Sequence, residues 1–195
     1  MKKEDIRIKK TKQLIKEAII HLVKQKGYKK VSVTDIVNHA QINRNTFYLH
    51  YEDKEDLIKK LMSESATKIN DILRSYILLP FTIENVKEVQ IRMGIRSLLK
   101  LIKPDMDFYQ MVLLDESLSG YINKLYDVLK GFVMDWLHIQ NPRSNLVFEY
   151  ASNGMIGSIQ QWILYYHASE ATMAKLLAKL SYGNLQQFKE INIIK

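Results

Sequence analysis

The chain has 195 residues, 47% of them hydrophobic and 26% charged, with a net charge of +8. That composition suits one or two domains with a buried core and excludes a disordered chain; the lack of any cysteine excludes a disulfide framework and a thiolate nucleophile. The charged N-terminus has no apolar run behind it, and no stretch nears the ~18 uninterrupted apolar residues of a membrane span, so the sequence reads as a cytoplasmic protein without signal peptide or membrane segment.

The charge is unevenly spread. Residues 1–60 hold 15 Lys and Arg against 8 Asp and Glu, whereas residues 61–195 hold 14 against 13. Positive charge gathered in the first third of the chain implies a polyanionic partner for that part and none for the rest. A lipid surface fits less well, since no Leu or aromatic stripe lies opposite the lysines.

Apolar residues recur at spacings of three and four, and glycine and proline are scarce, so the fold class is all-α. A first helix runs roughly over 9–26, with Leu14, Ala18, Ile19, Leu22 and Val23 as its stripe and Gly27 as a C-terminal residue able to take a positive φ. Ser32 and Asp35 have capping-box spacing for a second helix over about 33–39. Gln41 and Ile42 make the turn, and Asn43 caps a third helix over about 44–50. Glu52-Asp53 interrupts, and a fourth helix runs from Lys54 to about Leu79, where Pro80 stops it. Further helices are expected near 84–102, 106–115, 117–139, 145–167 and 170–181, with breaks at Pro104 and at 141–144, caps at Ser144 and Ser169, and an undecided tail after Gly183. This gives a head over 1–53, a connecting helix over 54–79 and a second helical domain over 80–195.

The second and third helices have the layout of a helix-turn-helix, which sets its second helix in the major groove of DNA with the residues near that helix's start against base edges. Asn43, Arg44 and Asn45 sit there, and Arg and Asn are the residue types that pair with guanine and adenine. Thr46, Tyr48 and His50 can donate to phosphate oxygens, as can Thr34 and Lys54, each at a helix start where amides and dipole also attract an anion. Ile36, Val37, Ala40, Phe47 and Leu57 are the expected core beneath. Plainer readings stand beside these: Asn43 as a cap alone, Tyr48 and Tyr51 as core or rim aromatics, and Lys2, Lys3, Lys9, Lys10 and Lys12 as a solvated arm instead of one reaching a neighbouring groove.

Residues 9–60 resemble the DNA-binding domain of the TetR family of bacterial repressors. The resemblance rests on Thr34-Asp35-Ile36-Val37, Ala40, the run from Ile42 to Tyr48, Tyr51, and Lys54-Glu55-Asp56-Leu57. The family has Gly where this chain has Gln41, more often Ser where it has Asn43, and most often Phe where it has Tyr51. The resemblance implies a homodimer on a palindromic double-stranded DNA operator; no cofactor or metal is expected. It also implies a C-terminal helical ligand-binding and dimerisation domain that takes a small-molecule effector and shifts the reading heads through the fourth helix.

Residues 80–195 follow that family only in general layout, although 150–162 resembles the penultimate helix of one branch. Gly154 and Gly157 allow close helix approach, and with Ile156, Ile159, Ile163, Met173, Leu176, Leu177 and Leu180 they form an expected dimer interface, the alternative being a helix crossing within one subunit. Met93, Phe108, Met111, Met134, Trp136 and Trp162 are candidate pocket walls, although such residues at helical spacing are more often core. Tyr121, Tyr126, Tyr165 and Tyr166 would instead suit a protein partner. Two other functions remain: control by a protein partner, and a helical interaction module that does not bind DNA. An enzyme is not expected. The five histidines are scattered, no glycine-rich phosphate loop occurs, and Ser97-Leu-Leu-Lys100 lies in an amphipathic helix without companion motifs.

Overall fold

The computed structural model describes residues 3–77, 86–137, 142–165 and 168–190, and among them every regular element is helical. The described residues form nine α-helices in order: α1 Lys3–Lys26, α2 Val33–His39, α3 Arg44–Tyr48, α4 Lys54–Ile77, α5 Glu88–Ile102, α6 Met106–Leu114, α7 Ser119–Leu137, α8 Pro142–Leu164 and α9 Glu170–Glu190. None of the described helices is long and apolar enough to cross a membrane. Pro80 and Tyr166 lie outside the described residues.

The chain divides into two compact units. The first holds 1–64 together with 107–122, and the second holds 65–106 together with 123–195. In the first, α1 packs on α2 and α2 on α3. Ile15, Ala18, Ile19, Leu22 and Val23 of α1 meet Ile36, Val37, Ala40, Phe47, Tyr51, Leu57 and Ile58, all buried. Ile15 takes the deep position expected of Leu14, which is only half-buried, because 15, 18, 19 and 22 follow the helical repeat and 14 falls beside it. The N-terminal helix also starts six residues earlier than the apolar stripe suggests. Residues 6–10 are exposed, and burial patterning gives no signal there.

Segment 107–122 completes this unit. Phe108, Tyr109, Met111, Val112 and Leu118 are buried, and the Lys16 ammonium stands 5.2 Å from the Phe108 ring centroid. The Lys24 ammonium pairs with Asp107, and Asp115 accepts the Tyr28 amide N–H at 2.7 Å. Burial opposes ionisation of Asp115, but bonds from Ser117 and the Tyr28 amide outweigh it and hold the carboxyl below its usual range.

The second unit centres on α9 laid against α5 and α8. Ile95, Leu98, Leu99 and Ile102 of α5 face Met173, Ala174, Leu177, Ala178 and Leu185 of α9, with Ile159, Trp162 and Ile163 from α8. Lys103 pairs with Glu170 at 2.7 Å, and the Trp162 indole donates to the Ala168 carbonyl at 2.9 Å. Ser169 caps α9 by accepting from the Thr172 amide, as its position suggests. Ser144 is not a cap. Helix α8 starts two residues earlier with Pro142 in its first position, where a missing N–H is harmless. Pro104 does break the helix as expected: α5 ends at Ile102, a 3-10 turn covers Lys103–Asp105, and α6 starts at Met106. The tail past Gly183 stays helical to Glu190, with Leu185 buried.

Candidate nucleic-acid interface

The turn between α2 and α3 decides what α3 presents. The Ser32 hydroxyl accepts the Asp35 amide, and the Asp35 carboxylate takes the Ser32 amide at 2.8 Å, so the expected capping box is formed. Bonds from Ser32 and then the ammonium of Lys26, 2.9 Å away, hold the Asp35 carboxyl far below its usual range. At the other end Gln41 takes φ +52, a left-handed conformation that suits glycine better, and its amide donates to the Asn38 carbonyl. The Asn43 side-chain oxygen then accepts the Asn45 amide at 2.8 Å and starts α3. The cap uses the amide oxygen, and the NH₂ group takes no part in it.

Phe47 and Tyr51 are buried, which fixes the rotation of this short helix and turns Asn43, Arg44, Asn45, Tyr48 and Leu49 outward. Thr46 and His50 flank that face half-buried, and Thr34 is exposed on α2. The Arg44 guanidinium lies over the Tyr48 ring, 5.6 Å from its centroid, and donates to the phenolic oxygen at 3.2 and 3.4 Å. Two of the five guanidinium N–H groups are used in this way, and three remain, enough for a two-pronged bond to guanine. Partial burial of the His50 ring, with the charges of Lys12 and Lys60, pushes its pKa below 6.5, so it is neutral at pH 7 and keeps one N–H donor. Lys60 also donates to the His50 carbonyl at 3.0 Å and pairs with Asp56 at 2.8 Å. Lys9 and Lys10 are exposed, Lys12 reaches Glu64 at 3.6 Å, and the side chains of Lys2 and Lys3 lie outside the described part.

Lys54 is placed differently from the sequence expectation. Its ammonium turns away from α3 to the carbonyls of Tyr28, Lys29 and Val31, at 3.1, 3.4 and 2.9 Å, and stands 4.6 Å from the Tyr28 ring centroid. Those carbonyls end the 3-10 turn between α1 and α2, where the Tyr28 carbonyl also accepts the Val31 amide N–H at 3.1 Å. Lys54 therefore closes that turn, and the contact lies 23 to 26 residues away in sequence, beyond any local pattern.

Two family models match the chain: bacterial regulatory proteins of the tetR family over residues 15–61, and a transcriptional regulator C-terminal region over residues 90–183. The chain belongs to the TetR family. This is a family of DNA-binding transcriptional regulators. The transcriptional regulator YxbF of Bacillus subtilis (strain 168) is 32% identical over 37% of this chain and 19% of its own length. The dhaKLM operon activator DhaS of Lactococcus lactis (strain IL1403) is 35% identical over 31% of this chain and 33% of its own. The matches thus span a fifth to a third of these curated relatives. Among solved structures, a TetR-like regulator from Rhodococcus sp. RHA1 superposes with TM-score 0.66 at 15% identity, over 90% of this chain and 96% of that one. The regulator FadR of Bacillus subtilis, solved with stearoyl-CoA, gives TM-score 0.63 at 17% identity, over 88% and 98%. At such identities the shared feature is the fold.

Against the TetR pattern, Gln41 keeps the left-handed turn that glycine makes without strain. Tyr51 occupies the expected core position, but its hydroxyl finds no partner among the described residues, and burial, with the charges of Glu64 and Asp56, pushes its pKa up to about 12.

The candidate pocket residues are spread over both compact units. Met93 is 56% exposed; Phe108 and Met111 are buried in the first unit, and Trp162 is buried in the second with its indole N–H satisfied. The side chains of Met134 and Trp136 lie outside the described part. Of the expected dimer interface, Ile159, Ile163, Met173 and Leu177 are buried within the chain itself, because α9 already packs on α5 and α8. Gly154, Ile156, Gly157, Leu176 and Leu180 keep exposed surface, the two leucines one helical turn apart and more than half exposed. Tyr165 is exposed, Tyr121 is half-buried, and half-buried Tyr126 bonds to Gln160.

Leu49 escaped the sequence reading, which looked for hydrogen-bonding residues; its i+4 spacing from Asn45 was the available signal. The anchoring of 107–122 in the head had no sequence signal, since it joins residues more than eighty positions apart.

Proposed function

We propose that this TetR-family chain is a sequence-specific repressor that binds a palindromic operator as a cytoplasmic homodimer and is released by a small-molecule ligand. The observation that carries the reading is the outward face of α3: Arg44 braced on Tyr48, with Asn43 and Asn45 beside it, on the part of the chain that holds nearly all the net positive charge. Arg44 and Asn45 read bases, while Thr34, Asn43, Thr46, Tyr48 and His50 hold phosphates and set the register. In functional terms 1–53 is the reading head, with 107–122 packed into the same compact unit, 54–79 is the connecting helix, and the rest of 80–195 is the regulatory and dimerisation domain. Two-fold pairing uses Gly154, Ile156, Gly157, Leu176 and Leu180, the part of the expected interface still on the surface.

The chain passes between the two compact units at 64–65, 106–107 and 122–123. A ligand that shifts α4, or the segments flanking 107–122, therefore pulls on the head through Asp115 and Tyr28 as well as through the connecting helix. Fatty-acyl chemistry is one candidate, on the strength of the stearoyl-CoA carried by a protein of the same fold. A second reading, activation with control by a protein partner, is favoured by the similarity to DhaS, which is named an operon activator.

The test is selection of duplexes from a random pool by the full chain, followed by footprinting. Two protected half-sites about one helical turn (~34–36 Å) apart, or a multiple of it, are expected. Protection of a single half-site, or equal retention of all duplexes, would reject the reading.

A further inference from the structure

Leu49 is the most exposed large apolar side chain among the described residues, at 80%. It does not lie on a ragged loop. Its amide donates to the Asn45 carbonyl at 3.1 Å, its backbone is helical, and the amides of His50 and Tyr51 both reach the Phe47 carbonyl. Buried Phe47 and Tyr51 on either side pin the backbone, so Leu49 points away from the core by helical geometry, one turn beyond Asn45 and next to Tyr48. Scattered exposed leucines are ordinary on protein surfaces. This one sits on a face otherwise made of Arg, Asn and Tyr side chains.

The major groove offers one apolar group among its base edges, the 5-methyl of thymine. Resting on the DNA-reading function proposed above, we propose that Leu49 reads a thymine in each half-site through that methyl group. Five residues of helix rise separate Leu49 from Arg44, about 7.5 Å, or roughly two base-pair steps. The thymine therefore lies about two base pairs from the guanine taken by Arg44.

The test uses the full chain and a duplex recovered from the random pool, resynthesised with deoxyuridine in place of each thymine in turn. At one thymine per half-site, deoxyuridine should weaken wild-type binding about fourfold, the value of one buried methyl-sized group. Leu49→Ala should bind the thymine and deoxyuridine duplexes equally at that position, with an unchanged melting temperature because the side chain is outside the core. A Leu49→Ala chain that keeps the wild-type thymine preference, or a wild-type chain indifferent to deoxyuridine everywhere, overturns the proposal while leaving sequence-selective binding intact. A pool that yields no preferred sequence removes the DNA-reading function and this inference together.

Discussion

The two compact units are held by different kinds of interaction. In the first, polar side chains lock the backbone of short elements: Ser32 with Asp35, Asn43 with Asn45, Lys54 on three carbonyls, Asp115 on the Tyr28 amide. Helices of five and seven residues are too short to persist alone, so each needs its caps and a few buried anchors. In the second, long helices meet along apolar stripes, and ion pairs such as Lys103–Glu170 sit at the margin. A unit held by directional bonds presents chosen side chains at fixed angles, which suits a reading surface. A unit held by apolar stripes can repack with small loss, which suits response to an effector.

The sharpest way to break the contrast is to remove one large anchor from each unit. Phe47→Ala and Trp162→Ala should each cost about 3–5 kcal/mol. Hydrogen exchange resolved by residue should show the loss of protection concentrated in the first unit for Phe47→Ala and in the second for Trp162→Ala. Equal loss throughout by both would mean the chain unfolds as one body. Next comes Lys54→Met. Its bonds to the 28–31 turn predict a destabilisation of about 1.5–3 kcal/mol, the range for hydrogen bonds to a charged group, read as a lower urea midpoint. A drop of about one unit in the salt slope of DNA binding with stability intact would instead put that ammonium on a phosphate.

Arg44→Ala should leave the urea midpoint unchanged and lower the preference for a selected duplex over random DNA by about 1–3 kcal/mol; an unchanged preference would remove Arg44 as a base reader. Smaller gains are expected where this chain departs from its family. Gln41→Gly relieves a left-handed residue, and Tyr51→Phe removes an unpartnered buried hydroxyl; each should raise stability by up to about 1 kcal/mol in thermal unfolding. The smallest effect is a pH slope. His50 is held neutral in the folded head, while the unfolded chain takes up a proton below about 6.5, so stability should fall as pH drops through that value and toward the folded pKa. His50→Gln should flatten that slope in urea titrations between pH 7 and 5.

The first unit was the more legible because its signals are local. The Ser32–Asp35 box, the Gly27 stop, the Asn43 cap and the buried positions of Ile36, Val37, Ala40, Phe47 and Leu57 all follow from spacings of a few residues. The second unit was less legible at its margins. The tail after Gly183 was open between helix and fraying, and Leu185 decides it by finding a buried place that holds the helix on to Glu190, as packing outweighs propensity. The pocket set could not be drawn from sequence, because Met and aromatic residues at helical spacing look alike whether they line a cavity or fill a core.

By itself the sequence determined an all-helical chain, a helix-turn-helix near its N-terminus and the residues that start α3, since capping, periodicity and charge act over one or two helical turns. Only the tertiary structure decided that Lys54 closes the α1–α2 turn, that 107–122 belongs to the head, that α9 is already covered by α5 and α8, and that Leu49 stands out from the reading face. Those outcomes depend on which distant surfaces meet and on how a buried anchor sets a helix's rotation, and no short-range pattern encodes either.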